Sequence, residues 1–187
     1  MGKSLASLLA MGALLVAPMA AQAVSYTFNA TLKGASEAVP NASAGIGAAS
    51  LLYNDKGTLG TADDDFIFLM YASGMSGPVS AAQIDQAPVG VVGPIIQHLS
   101  VAAGFFVFAL PPVGVSIVGG PIPAPSASFL STLKAGQGYV NVHSAAFPTG
   151  EIRGQLIQVS AVPEPSTYAL LLAGIGALGF VARRRQS

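Results

Sequence analysis

"YTFNATLK", residues 26–33, alternates without a break. Tyr26, Phe28, Ala30 and Leu32 fall on one side of an extended chain, and Thr27, Asn29, Thr31 and Lys33 on the other. Successive side chains of a strand point to opposite faces, so the run predicts a β-strand with one face buried and one wetted. Outward from it, short alternating or β-branched runs recur at residues 48–53, 66–72, 79–85, 95–99, 105–110, 128–133, 139–143 and 151–159, separated by clusters of Gly, Pro, Asn and Asp. No 3.6-residue period runs through them, which argues against a helical domain.

Several strands at near-regular spacing predict an all-β fold, a single antiparallel β-sandwich of immunoglobulin-like or copper/zinc superoxide dismutase-like type. The run "VAAGFFVFAL", residues 101–110, ends at Pro111 and Pro112; it is too short to span a bilayer and reads as a buried strand. Five prolines and three glycines between residues 111 and 127 predict a long loop, because proline cannot donate to a sheet ladder.

The chain has 187 residues, 52% of them hydrophobic, and much of that excess is terminal. Residues 1–23 carry one cation, Lys3, then an apolar stretch, then Ala21-Gln22-Ala23. A basic start, an apolar run and an A-x-A site predict a helical secretory signal peptide cleaved after Ala23. There is no cysteine, so an exported domain here relies on its core without disulfide staples. Between Val24 and Ala161 four cations stand against seven acids, a balance of −3. Without a basic stripe to neutralise phosphates, nucleic-acid binding is not expected.

The other end reads "VPEPSTYALLLAGIGALGFVARRRQS". Residues 168–182 are uncharged and predict a transmembrane helix, and Arg183, Arg184 and Arg185 would hold its end in the cytoplasm. Pro163 and Pro165 keep the segment before it extended and accessible to a processing enzyme. With Pro163-Glu164-Pro165 as its motif, this tripartite tail resembles the PEP-CTERM sorting signal. The resemblance implies recognition by a membrane-embedded exosortase, cleavage near the motif, and release to the cell surface or the outside, often in bacteria that make exopolysaccharide. The plainer alternative is a permanent tail anchor. The expected organisation is a signal peptide (1–23), a β-domain (24–160) and a sorting tail (161–187).

Within the β-domain, "YVNVHSAAFPTGEIRGQL", residues 139–156, resembles the closing signature of the CHRD domain. "LKGASEAVPNASAGIGAASLLYN" and "SGMSGPVSAAQIDQAPVGVVGPII" are similar to its opening and middle segments, in order. The family's middle segment usually carries a His-x-His pair, where this chain has Gln83 and Asp85. Any metal site built from those imidazoles is therefore compromised. In the closing signature Tyr139, Asn141 and His143 alternate away from Val140 and Val142. After a turn at Gly150, Glu151, Arg153 and Gln155 alternate with Ile152, Gly154 and Leu156. Paired as a hairpin, the two polar rows would meet on one face, with a Glu151–Arg153 ion pair as the simplest outcome.

Catalytic chemistry has little to draw on. There are two histidines, His98 and His143, and neither a cysteine nor a G-x-S-x-G elbow. His98 reads as a solvent-facing strand residue. Asp63, Asp64 and Asp65 lack the spacing of a calcium loop and read as a solvated turn. The expectation is a non-enzymatic surface or matrix module without cofactor or metal, with an exosortase as processing partner and exopolysaccharide or other surface proteins as ligands. A metal-dependent enzyme on a superoxide dismutase-like sandwich is the alternative from another class.

Overall fold

The computed structural model describes residues 23–58, 60–100, 103–159 and 174–175. The alternation that opens the domain becomes β1 (Val24–Lys33), followed by a 3-10 turn (Gly34–Ser36) and β2 (Ile46–Asp55). Then come β3 (Asp65–Ser73), β4 (Val79–Gln86), β5 (Ile95–His98), β6 (Phe105–Leu110), β7 (Gly114–Pro123), α1 (Phe129–Lys134), β8 (Gly138–Ser144), β9 (Ile152–Gln155) and β10 (Ile157–Val159). The described chain is all-β with little helix.

The strands form one curled antiparallel sheet in the order β5-β4-β8-β9-β1-β2-β3-β7-β6, with β10 also paired to β1. β9 joins β1 through the single register pair Lys33–Arg153, so a leaf of four strands meets a leaf of six, β10 included, at one corner. Period-two alternation puts Phe28 and Leu32 of β1, Leu51 and Tyr53 of β2, and Phe66 and Phe68 of β3 inside. Ile84 of β4, Val140 and Val142 of β8 and Ile152 of β9 enter the same apolar cluster from the other leaf.

Four expectations are corrected. The strand at residues 105–110 is not buried: β6 ends the strand order with only β7 beside it, and Phe106, Val107 and Phe108 are exposed. Residues 128–133 are not a strand: α1 occupies this stretch, with Phe129 and Leu133 buried one helical turn apart. Phe129 fills the space beside Tyr53 and Phe66, at ring-centroid distances of 6.2 and 5.3 Å, and that packing decides the local conformation. Residues 111–127 are not one long loop, because β7 runs through them. Its pairing with β6 stops at Gly119, so Pro121 and Pro123 lie where no strand on that side asks for an N–H, and the β3 ladder shifts register to pass them. Finally, 151–159 is two strands divided at Leu156, β9 paired mainly with β8 and meeting β1 at one position, β10 paired with β1.

The expected signal helix (1–23) and transmembrane helix (168–182) lie outside the described residues, apart from Ala23, Gly174 and Ile175. Among the described residues no helix is long and apolar enough to cross a membrane.

The corner depends on Gly154. A Cβ there would drive into the Thr31 carbonyl oxygen and come within 3.2 Å of the Leu32 nitrogen. Both obstacles are backbone of the adjoining strand and cannot rotate away. Gly154→Ala should therefore destabilise the domain by about 1–3 kcal/mol, read as a lower denaturation midpoint in urea.

Candidate functional site

The polar face predicted for the closing hairpin exists, and β4 extends it. Asn141 pairs with Arg153 and Tyr139 with Gln155 across β8 and β9. On the other side of β8, Gln83 pairs with Asn141, Asp85 with Tyr139, and Ala81 with His143. Two polar rows thus cross three strands, while the alternate residues Ala82, Ile84, Val140, Val142 and Ile152 face the core. The segment after β1, with Glu37 and Val39, and the segment after β4, with Val92 and Gly93, overhang this face. Between them lies a cavity of about 150 Å³.

Arg153 is the centre of the arrangement and only 2% exposed. Its guanidinium stacks on Tyr139, with Cζ 3.4 Å from the ring centroid. It donates to the carbonyls of Val91 (2.7 Å) and Pro88 (2.9 Å), and more weakly to Gln155 Oε1 (3.5 Å). The Gln155 amide donates to the carbonyls of Ala87 (2.9 Å) and Gly136 (2.7 Å), and the Gly93 N–H donates to the Tyr139 hydroxyl (3.1 Å). One side chain after another ties the 87–93 segment down onto the sheet.

The expected Glu151–Arg153 ion pair does not form. Glu151 lies just ahead of β9, and its carboxylate accepts from Ser43 Oγ and the Ser76 N–H, both at 2.6 Å. Burial alone would raise its pKa, but hydrogen bonds from Ser144, Ser43 and Ser76 outweigh burial and hold it below the ordinary value. Glu151 is a buried staple between loops.

His143 lies at the cavity edge with both ring nitrogens engaged. Nδ1 is 3.0 Å from the Pro148 carbonyl and Nε2 is 3.1 Å from the Gln83 amide nitrogen. The neutral ring with its proton on Nδ1 satisfies both contacts, donating to Pro148 and accepting from Gln83. His98 is exposed on the edge strand β5, where it pairs in register with Gln83 of β4 at the border of this cluster.

The Asp63–Asp65 turn is less solvated than expected. Asp64 is buried and accepts from the Tyr53 hydroxyl at 2.6 Å and the Lys56 N–H at 3.1 Å. Asp65 pairs with Lys56 at 2.7 Å, and Asp63 accepts from Thr58. These carboxylates fasten a turn to the core.

Sequence reasoning missed Glu37. It is 8% exposed, and burial raises its pKa from the ordinary 4.5 to about 7, with Arg153 pulling it down and Asp85 pushing it up. Burial likewise raises Asp85, against hydrogen bonds from Gln83 and Tyr139 and the charge of Arg153. Like Glu151 Oε2 away from the cavity, Glu37 Oε1, Asp85 Oδ1 and Asn141 Oδ1 at it are buried with no hydrogen-bond partner. Gly150, at φ +132°, leaves them room: a Cβ there would lie 2.8 Å from Glu37 Oε1 and 2.9 Å from the Asn141 amide atoms. Among the described residues, no three His, Cys, Asp or Glu side chains cluster in a way that could hold a metal ion.

Fold and site together define an all-β domain whose signature residues surround a buried arginine. The chain belongs to the CHRD domain family, whose sequence profile matches residues 28–156, and a PEP-CTERM protein-sorting motif matches residues 161–185. The sorting motif implies processing by an exosortase, with export, a membrane-associated step and surface delivery. No curated protein and no solved structure matches the chain. The residues of that motif, Pro163, Glu164, Pro165 and Arg183 to Arg185, lie outside the described residues, as does Ala21 of the signal site; Ala23 is exposed.

Arg153→Lys keeps the charge but loses the stacking and the two-pronged donation to Pro88 and Val91. It should cost about 2–4 kcal/mol in chemical denaturation, far more than an exposed Arg-to-Lys change. Glu37 gives a pH signature. Its raised pKa means that the fold favours the protonated acid, a stabilisation complete below the ordinary value and lost as pH rises through about 7. Glu37→Gln should raise the urea midpoint at about pH 8 and flatten the fall in stability that the wild type shows on the way there.

Proposed function

We propose that this protein is an exosortase-processed surface or extracellular-matrix component whose CHRD domain is a non-enzymatic binding module. The arrangement of the polar face supports this reading. Arg153, Gln155, Tyr139 and His143 are committed to holding backbone and neighbouring side chains, which suits a preformed receptor. His143 has neither nitrogen free to move a proton. We take the curled sheet to be a sandwich of two leaves sharing one core. The polar face lies outside that core, under the 87–93 segment.

In this reading the residues of the closing signature are the binding scaffold, and the apolar tail at 168–182 holds the chain at the inner membrane until cleavage near Pro163-Glu164-Pro165. The ligands are exopolysaccharide or other surface proteins, and nucleic acid is not among them.

The intact mass of the protein recovered from producing cells, with the fraction that contains it, tests the reading. The expected chain starts at Val24, ends near the Pro-Glu-Pro motif and lies outside the inner membrane. A mass extending to Ser187 in the inner-membrane fraction means a permanent anchor and overturns the processing. Substrate turnover by the purified protein that is abolished in His143→Ala, or stoichiometric metal in it, overturns the non-enzymatic reading.

A further inference from the structure

We propose that the cavity bordered by β4, β8 and the segment after β1 is a receptor for a primary ammonium group, whose N–H donors are accepted by Glu37, Asp85 and Asn141. The inference rests on the binding-module reading and names the chemistry of its ligand.

Three buried oxygens face this cavity without a donor: Glu37 Oε1, Asp85 Oδ1 and Asn141 Oδ1, on side chains 8%, 2% and 6% exposed. Buried acceptors are nearly always paired, and a carboxylate left unpaired is the costliest kind to leave. A proton on Glu37 would supply one donor, enough for one neighbouring acceptor, and leave the third oxygen unpaired. The neighbouring cation offers little more, since Arg153 is directed at Val91, Pro88 and Gln155. An ammonium brings three donors to three acceptors.

Charge and size point the same way. A bound cation draws Glu37 and Asp85 into their ionised forms, and beside Arg153 the cluster then carries one net negative charge, which a monovalent cation neutralises and a divalent ion overshoots. Among the described residues no triad of acidic or imidazole side chains is placed to replace the hydration shell of a metal. About 150 Å³ holds roughly five waters' worth of volume, enough for an ammonium and a short stem, so the remainder of the molecule that carries it lies outside. At the rim, Val39 and Val92 are 83% and 76% exposed, an apolar border that suits the methylene stem of an amine. Gly150 keeps the space between Glu37 and Asn141 open.

The same ammonium is offered by a lysine side chain of a protein partner and by an unacetylated amino sugar of a polysaccharide. The experiment follows the amide signals of Gly93, Asn141 and Gly150 in the full mature protein during titration with ethylammonium, against tetramethylammonium at equal ionic strength. Saturable shifts with ethylammonium alone are expected, because tetramethylammonium has the charge without the donors. Glu37→Gln and Asp85→Asn should each weaken binding about tenfold. Parallel titrations with Nα-acetyl-lysine amide and with glucosamine, each against its acetylated amine, assign the source by which binds tighter. Equal responses to ethylammonium and tetramethylammonium, or a saturable shift of these signals by calcium chloride, overturn the proposal; the wild-type comparison decides even if a variant fails to fold. That failure would leave export and processing untouched, since the intact mass judges those separately.

Discussion

The domain depends on one buried charge. Arg153 lies between the Tyr139 ring and the carbonyls of Pro88 and Val91, at the strand position where the two leaves of the sheet meet. A guanidinium taken out of water is tolerable only when its donors are satisfied and opposite charge is near. The first need fixes the path of the 87–93 segment, and the second draws Glu37 and Asp85 toward it. Next along the chain, Gly154 lets β9 press against β1, so the residue that carries the charge and the residue that permits the close approach are neighbours. Site and corner are therefore one construction.

The electrostatics of the cluster follow from burial more than from pairing. Burial raises both Glu37 and Asp85, and Arg153 offsets it only in part. Glu151, buried as deeply a short distance away, stays below its ordinary value because hydrogen-bond donors surround it. The same residue type behaves oppositely according to whether donors are supplied. Oε1 of the staple takes its donors from Ser43 and Ser76, whereas the buried oxygens at the cavity have none.

The period-two runs were readable in the sequence because alternation is a local property. The expected strands at residues 26–33, 66–72, 79–85 and 105–110 all lie within β1, β3, β4 and β6. What misled was composition without tertiary context. The prolines of 111–127 suggested a loop, yet the strand places Pro121 and Pro123 beyond its β6 pairing. The short apolar run before Lys134 looked extended until Phe129 found its pocket beside Phe66. At the site, the alternation of Tyr139, Asn141, Arg153 and Gln155 announced a shared polar face, whereas Glu37 sits in a run of small residues where nothing local marks it as buried. Its role exists only because a segment more than 40 positions away in the chain, around Asp85, folds beside it.

The strand order also sets a schedule for an exported chain. β8 and β9 lie between β4 and β1, and β10 lies beside β1, so the last strands to emerge sit in the middle of the sheet. The first strand waits for residues 152–159 to supply its second neighbour, and the two leaves stay unjoined until then. Closure comes with the final strand, which ends two residues before the sorting motif begins, so the folded module is complete at the boundary where the tail starts.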